Sequence, residues 1–197
     1  MANSDTRLLL RVVVKLMSLA GVGLALYALL ASVLSGEPPS GKSEPLLVRL
    51  DALSENQLLR VAWGEGNLLL QKRSAATLAS LDADTARLQD PFSERAREPD
   101  GLPAATRSVR PALFVAFDRG TGMGCPLGWV PTGSHGAPQQ PWQGGFRDSC
   151  DGSWYDAAGR VFMGQQAGRN LDIPPYRYID GDLLEIGPSG DNAAPAK

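Results

Sequence analysis

Cys125 and Cys150 are the only thiols in a chain of 197 residues, and His135 is its only imidazole. Asp148 and Asp151 flank the second cysteine. Thiolate and imidazole suit zinc, copper and iron, whereas carboxylates suit harder ions. A zinc-type set of Cys125, His135, Cys150 and Asp151 can be written down. It competes with a Cys125–Cys150 disulfide, which would consume both thiols. Metal sites rich in histidine and cysteine are excluded by count. No glycine-rich phosphate loop opens a helix, no nucleophile elbow occurs, and Ser134 or Ser153 beside His135 lacks a triad's context.

Both cysteines lie in tight, glycine-punctuated loops, Gly124 to Pro131 and Asp148 to Asp156, joined by an aperiodic stretch from Thr132 to Arg147. The rest of the chain must hold those loops. Residues 1–15 are short and basic, with Arg7, Arg11 and Lys15. Residues 16–35 carry no charge, long enough at about 1.5 Å per residue to cross a bilayer's hydrocarbon core. With basic residues before the span and Glu37 the first charge after it, the positive-inside rule puts the N-terminus in the cytoplasm. Residues 36–44 read as a flexible linker, 45–188 as a folded head and 189–197 as a disordered tail. A net charge of −2 gives no case for nucleic acid.

Within the head, Pro45 to Leu50 reads as a strand. Gln57 to Trp63 alternates, with Leu59, Val61 and Trp63 on one face, and turns at Gly64-Glu65-Gly66 into Asn67 to Lys72. Ser74 can cap a short helix through Leu81. The charged, irregular run from Asp84 to Arg110 reads as a surface excursion. Strands are expected at Leu113 to Phe117, Arg160 to Met163, Tyr176 to Ile179 and Leu183 to Ile186, with Asp180-Gly181 the sharpest hairpin signal.

The two loops resemble those of Rieske iron–sulfur proteins, the membrane-anchored subunits of quinol–cytochrome c reductases. That family reads C-T-H-L-G-C-V-P in the first loop and C-P-C-H-G-S-x-Y-D in the second. Leu127-Gly128 and Val130-Pro131 match the first; Gly152-Ser153 and Tyr155-Asp156 match the second. The resemblance continues through Ala158-Gly159-Arg160-Val161, Gly164 and Asn170-Leu171-Asp172-Ile173-Pro174-Pro175-Tyr176. It implies a mainly β fold: an antiparallel β-sandwich head with an inserted two-loop subdomain over residues 118–168, preceded by one transmembrane helix.

In a Rieske centre two Cys hold one iron and two His the other. The four positions are here Gly124, Pro126, Asp148 and Asp151, so the resemblance brings the framework without the ligands. The family also bridges its loops by a disulfide. Cys150 stands at one of its positions and Trp129 at the other, which leaves Cys125 as the expected partner. Ser153 and Tyr155 match residues that hydrogen-bond cluster sulfurs in the family; here turn closure and packing are the simpler expectation. The family's Gly-Pro-Ala-Pro loop is Gly164-Gln165-Gln166-Ala167, and the twin arginines of its bacterial export signal are missing. Trp129 is expected to fill space left by the cluster, with burial or exposure open for Trp142 and Trp154.

The implied function is a cluster-free accessory or assembly subunit of a bc1-type quinol–cytochrome c reductase. It would have no activity or cofactor of its own and would contact subunits of the cytochrome b and cytochrome c1 type. It would sit in the bacterial inner membrane through residues 16–35, with its head in the periplasm. The alternatives are an electron carrier keeping a [2Fe–2S] or other metal centre on atypical ligands, and a free-standing periplasmic binding module.

Overall fold

A computed structural model describes residues 2–34, 44–82 and 85–187. The expected linker, apart from Glu44, and the expected tail lie outside the described residues. The chain divides into two units, 1–40 and 41–197.

The first unit contains one helix, α1 (Ala2–Leu34). Its stretch Leu9–Tyr27, 19 residues with a mean hydropathy of 2.0, is long and apolar enough to cross a membrane. The helix starts well before the charge-free run expected at residues 16–35. Arg and Lys are good helix formers, so the basic residues extend the helix without extending its apolar stretch.

The second unit is the head, built from three antiparallel three-stranded sheets. One sheet is ordered β1 (Leu46–Arg49), β9 (Leu183–Ile186), β8 (Tyr176–Asp180) and so brings both ends of the head together. The second is β2 (Leu58–Trp63), β3 (Gly66–Lys72), β4 (Leu113–Phe117). The third is β5 (Leu127–Val130), β6 (Gly145–Asp148), β7 (Trp154–Asp156), and it carries the two loops.

Strand β2 alternates as its sequence demands: Leu59, Val61 and Trp63 are half-buried while Arg60 and Ala62 face out. Strand β3 is buried at four consecutive positions, Leu68 to Gln71, because it lies between β2 and β4. One hydrophobic core joins all three sheets. Val48, Leu184 and Ile186 come from the first, Leu68, Leu70 and Phe114 from the second, and Leu127, Phe146 and Tyr155 from the third. Each fully buried side chain of this size stabilises the fold by roughly 1.5–3 kcal/mol. Helix α2 (Ala75–Ser80) is capped by Ser74, whose hydroxyl accepts from Thr77 N. In the β8–β9 hairpin Asp180 pairs with Leu183, so the connecting residues are Gly181 and Asp182, one position beyond the expected turn.

Three expectations are corrected. Residues 127–130, 145–148 and 154–156, read as loop, are the short strands β5, β6 and β7. The strand expected at Arg160 to Met163 reduces to single bridges, Val161 to Tyr155 and Phe162 to Leu88. Within the described part of the run expected as a surface excursion, residues 85–110, exposed residues such as Arg95 and Arg97 alternate with buried ones: Leu88, Asp90, Ser93, Ala96, Glu98, Arg107 and Ser108. Of its arginines, Arg107 is buried, while Arg95, Arg97 and Arg110 are exposed. Arg107 donates to Glu98 and to the carbonyls of Ala158, Gly159 and Leu171. Arg73, from the end of β3, donates to the Ala157, Thr106 and Pro111 carbonyls and to Ser108 Oγ. Guanidinium is planar, weakly hydrated and rich in donors, so it can be buried against carbonyls where an ammonium could not. Burial lowers the pKa of both arginines; Asp156 is the first charge to oppose the shift at Arg73, and Glu98 at Arg107.

Candidate functional site: two loops clasped at their tips

Strand β4 delivers the chain to Asp118, which fixes where the first loop begins. Its Oδ1 accepts from Leu127 N at 3.1 Å and its Oδ2 from Arg60 Nε at 2.7 Å. Arg60 Nη2 also donates to the Leu127 carbonyl. Gly120 N donates to the Cys125 carbonyl at 2.8 Å, which closes the loop on itself. Thr121 ties it inward: its N–H donates to the Tyr155 hydroxyl at 3.0 Å and its Oγ1 to the Arg169 carbonyl at 2.5 Å.

The loops meet at a Cys125–Cys150 disulfide, with Cα atoms 5.9 Å apart across 25 positions of sequence. Ser149 N donates to the Pro126 carbonyl at 3.2 Å beside it. Of the four residues that the resemblance aligns with ligands, Gly124 and Pro126 are exposed, and Gly124 takes a left-handed φ of 77°. Asp148 is only 2% exposed. Its Oδ1 accepts from Cys150 N at 2.7 Å and Asp151 N at 3.2 Å. Asp151 Oδ1 in turn accepts from Ser153 N at 2.8 Å. Side-chain oxygens that mimic a backbone acceptor in this way are how aspartate builds turns. The second oxygens differ. Asp148 Oδ2 and Asp151 Oδ2 are buried without a hydrogen-bond partner. Glycines give them room: a Cβ on Gly120 would lie 1.8 Å from Asp148 Oδ2, and one on Gly122 would lie 2.1 Å from Asp151 Oδ2.

Ser153 Oγ accepts from Ala167 N at 3.1 Å, and Gln165 Oε1 accepts from Trp154 N at 3.1 Å, so the stretch around Gln165 is held against the second loop. Tyr155 is fully buried, and burial raises its phenol pKa. Trp129 is half-buried and meets Phe146 edge-on at 5.2 Å. Trp142 is the buried one of the three tryptophans, 1% exposed, and donates to the Val130 carbonyl at 3.0 Å. Trp154 packs edge-on against Trp142 at 5.3 Å, with the Arg147 guanidinium 5.2 Å from its ring centre. His135 is exposed. Among the described residues the group with metal-ligand spacing is Cys125, Asp148 and Cys150. Neither His135 nor Asp151 belongs to it, so the four-residue set written from the sequence does not assemble.

These donors do not fit a [2Fe–2S] cluster of the Rieske kind, which needs two thiolates and two imidazoles. The two sulfurs here are bonded to each other, and the two aspartates use one oxygen each to shape turns. The protein framework nevertheless identifies the chain. It is similar to the ubiquinol–cytochrome c reductase iron–sulfur subunit of Allochromatium vinosum, 34% identical over 180 residues covering 90% of this chain and 87% of the relative. The subunit of the same name from Blastochloris viridis is 30% identical over 193 residues, covering 95% and 98%. This chain belongs to the Rieske iron–sulfur subunit family. No family model matches the chain. A solved structure titled "Hyperthermophilic respiratory Complex III" aligns with 86% of this chain and 94% of its own at 19% identity and a TM-score of 0.43.

Within this Rieske framework sequence reading passed over Asp118, Gly120, Thr121 and Gly122, which define the first loop from below. A signal was there: two glycines bracketing a threonine directly after an apolar strand, where only a missing Cβ admits another side chain so closely.

Proposed function

We propose that this chain is a cluster-free Rieske-like subunit that supports the assembly, stability or regulation of a bc1-type quinol–cytochrome c reductase and carries no electrons itself. What supports this reading is the resemblance, which puts Gly124, Pro126, Asp148 and Asp151 at the four ligand positions, together with the two sulfurs, which close the loops covalently. Membership of the family over nearly the full chain supports a respiratory membrane complex as its place of work. The apolar stretch of α1 supports a single-pass anchor. In this reading the basic N-terminus faces the cytoplasm and the head faces the periplasm, beside subunits of the cytochrome b and cytochrome c1 type.

The test is affinity purification of the tagged full chain in mild detergent. Iron and acid-labile sulfide are measured on the eluate and co-purifying subunits are identified. The expected result is neither iron nor sulfide, together with reductase subunits. Two irons and two sulfides per chain would overturn it and install the second reading, an electron carrier on atypical ligands, which the relatives' designation as iron–sulfur subunits favours. An eluate free of respiratory subunits would point instead to a free-standing periplasmic module.

A further inference from the structure

The loop tip brings together three donor residues. A carboxylate oxygen of Asp148 and the sulfurs of Cys125 and Cys150 all lie within 4.8 Å of one another. Asp148 is almost wholly buried and its Oδ2 has no partner. Buried polar atoms are normally paired, so such an oxygen is an acceptor in want of a proton or a cation. The bridge itself is reachable: Cys150 is exposed, Cys125 is half-exposed, and Cys150 and Asp148 line an open groove of about 470 Å³.

We propose that reducing the Cys125–Cys150 bridge turns the tip into a three-ligand site for a divalent ion of the zinc class. Cys125 Sγ, Cys150 Sγ and an Asp148 carboxylate oxygen would bind the ion, with water from the groove as fourth ligand. Around a tetrahedral ion with bonds of about 2.3 Å to sulfur and about 2.1 Å to oxygen, two sulfurs stand about 3.8 Å apart and the oxygen about 3.6 Å from each. The three donors lie within 4.8 Å of one another while the sulfurs are bonded, and rotation of the freed cysteines would part the sulfurs to the spacing the ion needs. Two thiolates and one carboxylate suit zinc or cobalt far better than calcium or magnesium.

The chemistry balances in two steps. A dithiol reductant gives up two electrons and two protons, becoming a disulfide while the bridge becomes two thiols. The ion then displaces both thiol protons to solvent and forms two metal–sulfur bonds. The tip thus exchanges a covalent clasp for a metal clasp, and the thiol redox state decides which one holds the loops. This inference does not rest on the accessory role, and each can fail without the other.

The experiment uses the full chain in detergent with cobalt(II) as probe. The bridge is first opened by a phosphine, which takes up the oxygen of one water molecule and brings no chelating thiol. The reduced chain should bind one cobalt, with sulfur-to-cobalt charge-transfer absorbance that zinc abolishes. The bridged chain should bind none. Loss of even an outer partner of a metal ligand typically costs roughly 10–100-fold in affinity, so Asp148→Asn should weaken binding at least about tenfold. Asparagine keeps the oxygen that receives Cys150 N and Asp151 N, and near-ultraviolet circular dichroism checks that the tip still folds. Should it not fold, Cys150→Ser decides: one thiolate fewer should halve the charge-transfer band. Asp151→Asn, outside the three-donor group, should bind as the unmodified chain does. Equal binding by bridged and reduced chains, no binding by the reduced chain, or unweakened binding by folded Asp148→Asn would each overturn the proposal.

Discussion

Two polar regions of the head use charge in opposite ways. In the seam between the run 85–110 and the stretch 156–172, buried guanidinium groups of Arg73 and Arg107 reach carbonyl after carbonyl, and Glu98 neutralises Arg107 at 2.6 Å. At the loop tip the buried charges are negative. Each carboxylate has one oxygen engaged by backbone amides and the other unpaired, and the loops are joined by a covalent bond. The seam matches its guanidinium groups to carbonyls and carboxylates and leaves only Thr106 Oγ1 and Arg160 Nη1 unpaired, whereas the tip leaves an oxygen of each aspartate unpaired and depends on sulfur. The first region holds by paired charge and the second by a covalent bond.

That contrast can be broken by substitution. The largest effect is expected from Arg107→Ala, which strands Glu98 and the three carbonyls in the interior. Removing one partner of a buried pair costs about 3–5 kcal/mol, so chemical denaturation of the head should show most of its stability gone. If Arg107→Ala costs less than opening the bridge, the ranking of the two regions is wrong. Replacing Cys125 and Cys150 together by serine should cost roughly 3–4 kcal/mol, the loop-closure entropy of a span of this length. That loss should appear in the same denaturation curves.

Gly120→Ala comes next. Its methyl would meet Asp148 Oδ2, and overpacking of this kind costs about 1–3 kcal/mol. A double-mutant cycle with Asp148→Ala should return most of that loss, because the clashing oxygen is gone. Strict additivity would show that the glycine is needed for some other reason.

The smallest effect is one of pH. Tyr178 lies under the Arg110 guanidinium at 3.7 Å, and burial pushes its pKa up to about 12. Between about pH 10 and 12 the unfolded chain releases a proton that the folded chain keeps. The folded state binds more protons there, so this contribution is intact below pH 10 and is lost as pH rises through the window. Tyr178→Phe should flatten that part of the stability profile, measured by thermal melting at fixed pH steps.

The same two regions show where the sequence could be read. Alternation at Leu59, Val61 and Trp63 is a period-two signal, and the structure places these residues on one face. The Ser74 cap was legible because its chemistry is local. The run from Asp84 to Arg110 misled because a charged residue suggests solvent, and only distant carbonyls at Ala158 and Leu171 make Arg107 an interior residue. Strands β5 to β7 are three or four residues long, so no window holds enough periods to reveal them. At the site, the Cys125–Cys150 pairing was legible because these are the chain's two cysteines. The unpaired oxygens of Asp148 and Asp151 were not, since a missing hydrogen bond depends on everything that fails to lie nearby.

Trp63 bears on the head's outward geometry. Its indole N–H donates to the Glu44 carbonyl at 3.0 Å, and Gly187 packs so closely on its ring that a Cβ there would lie 2.4 Å from it. Entry and exit of the folded head are therefore pinned to a single indole. A bulkier residue at Gly187 would press on the ring that also holds Glu44, so a change at the last described residue of the head would be felt at its first.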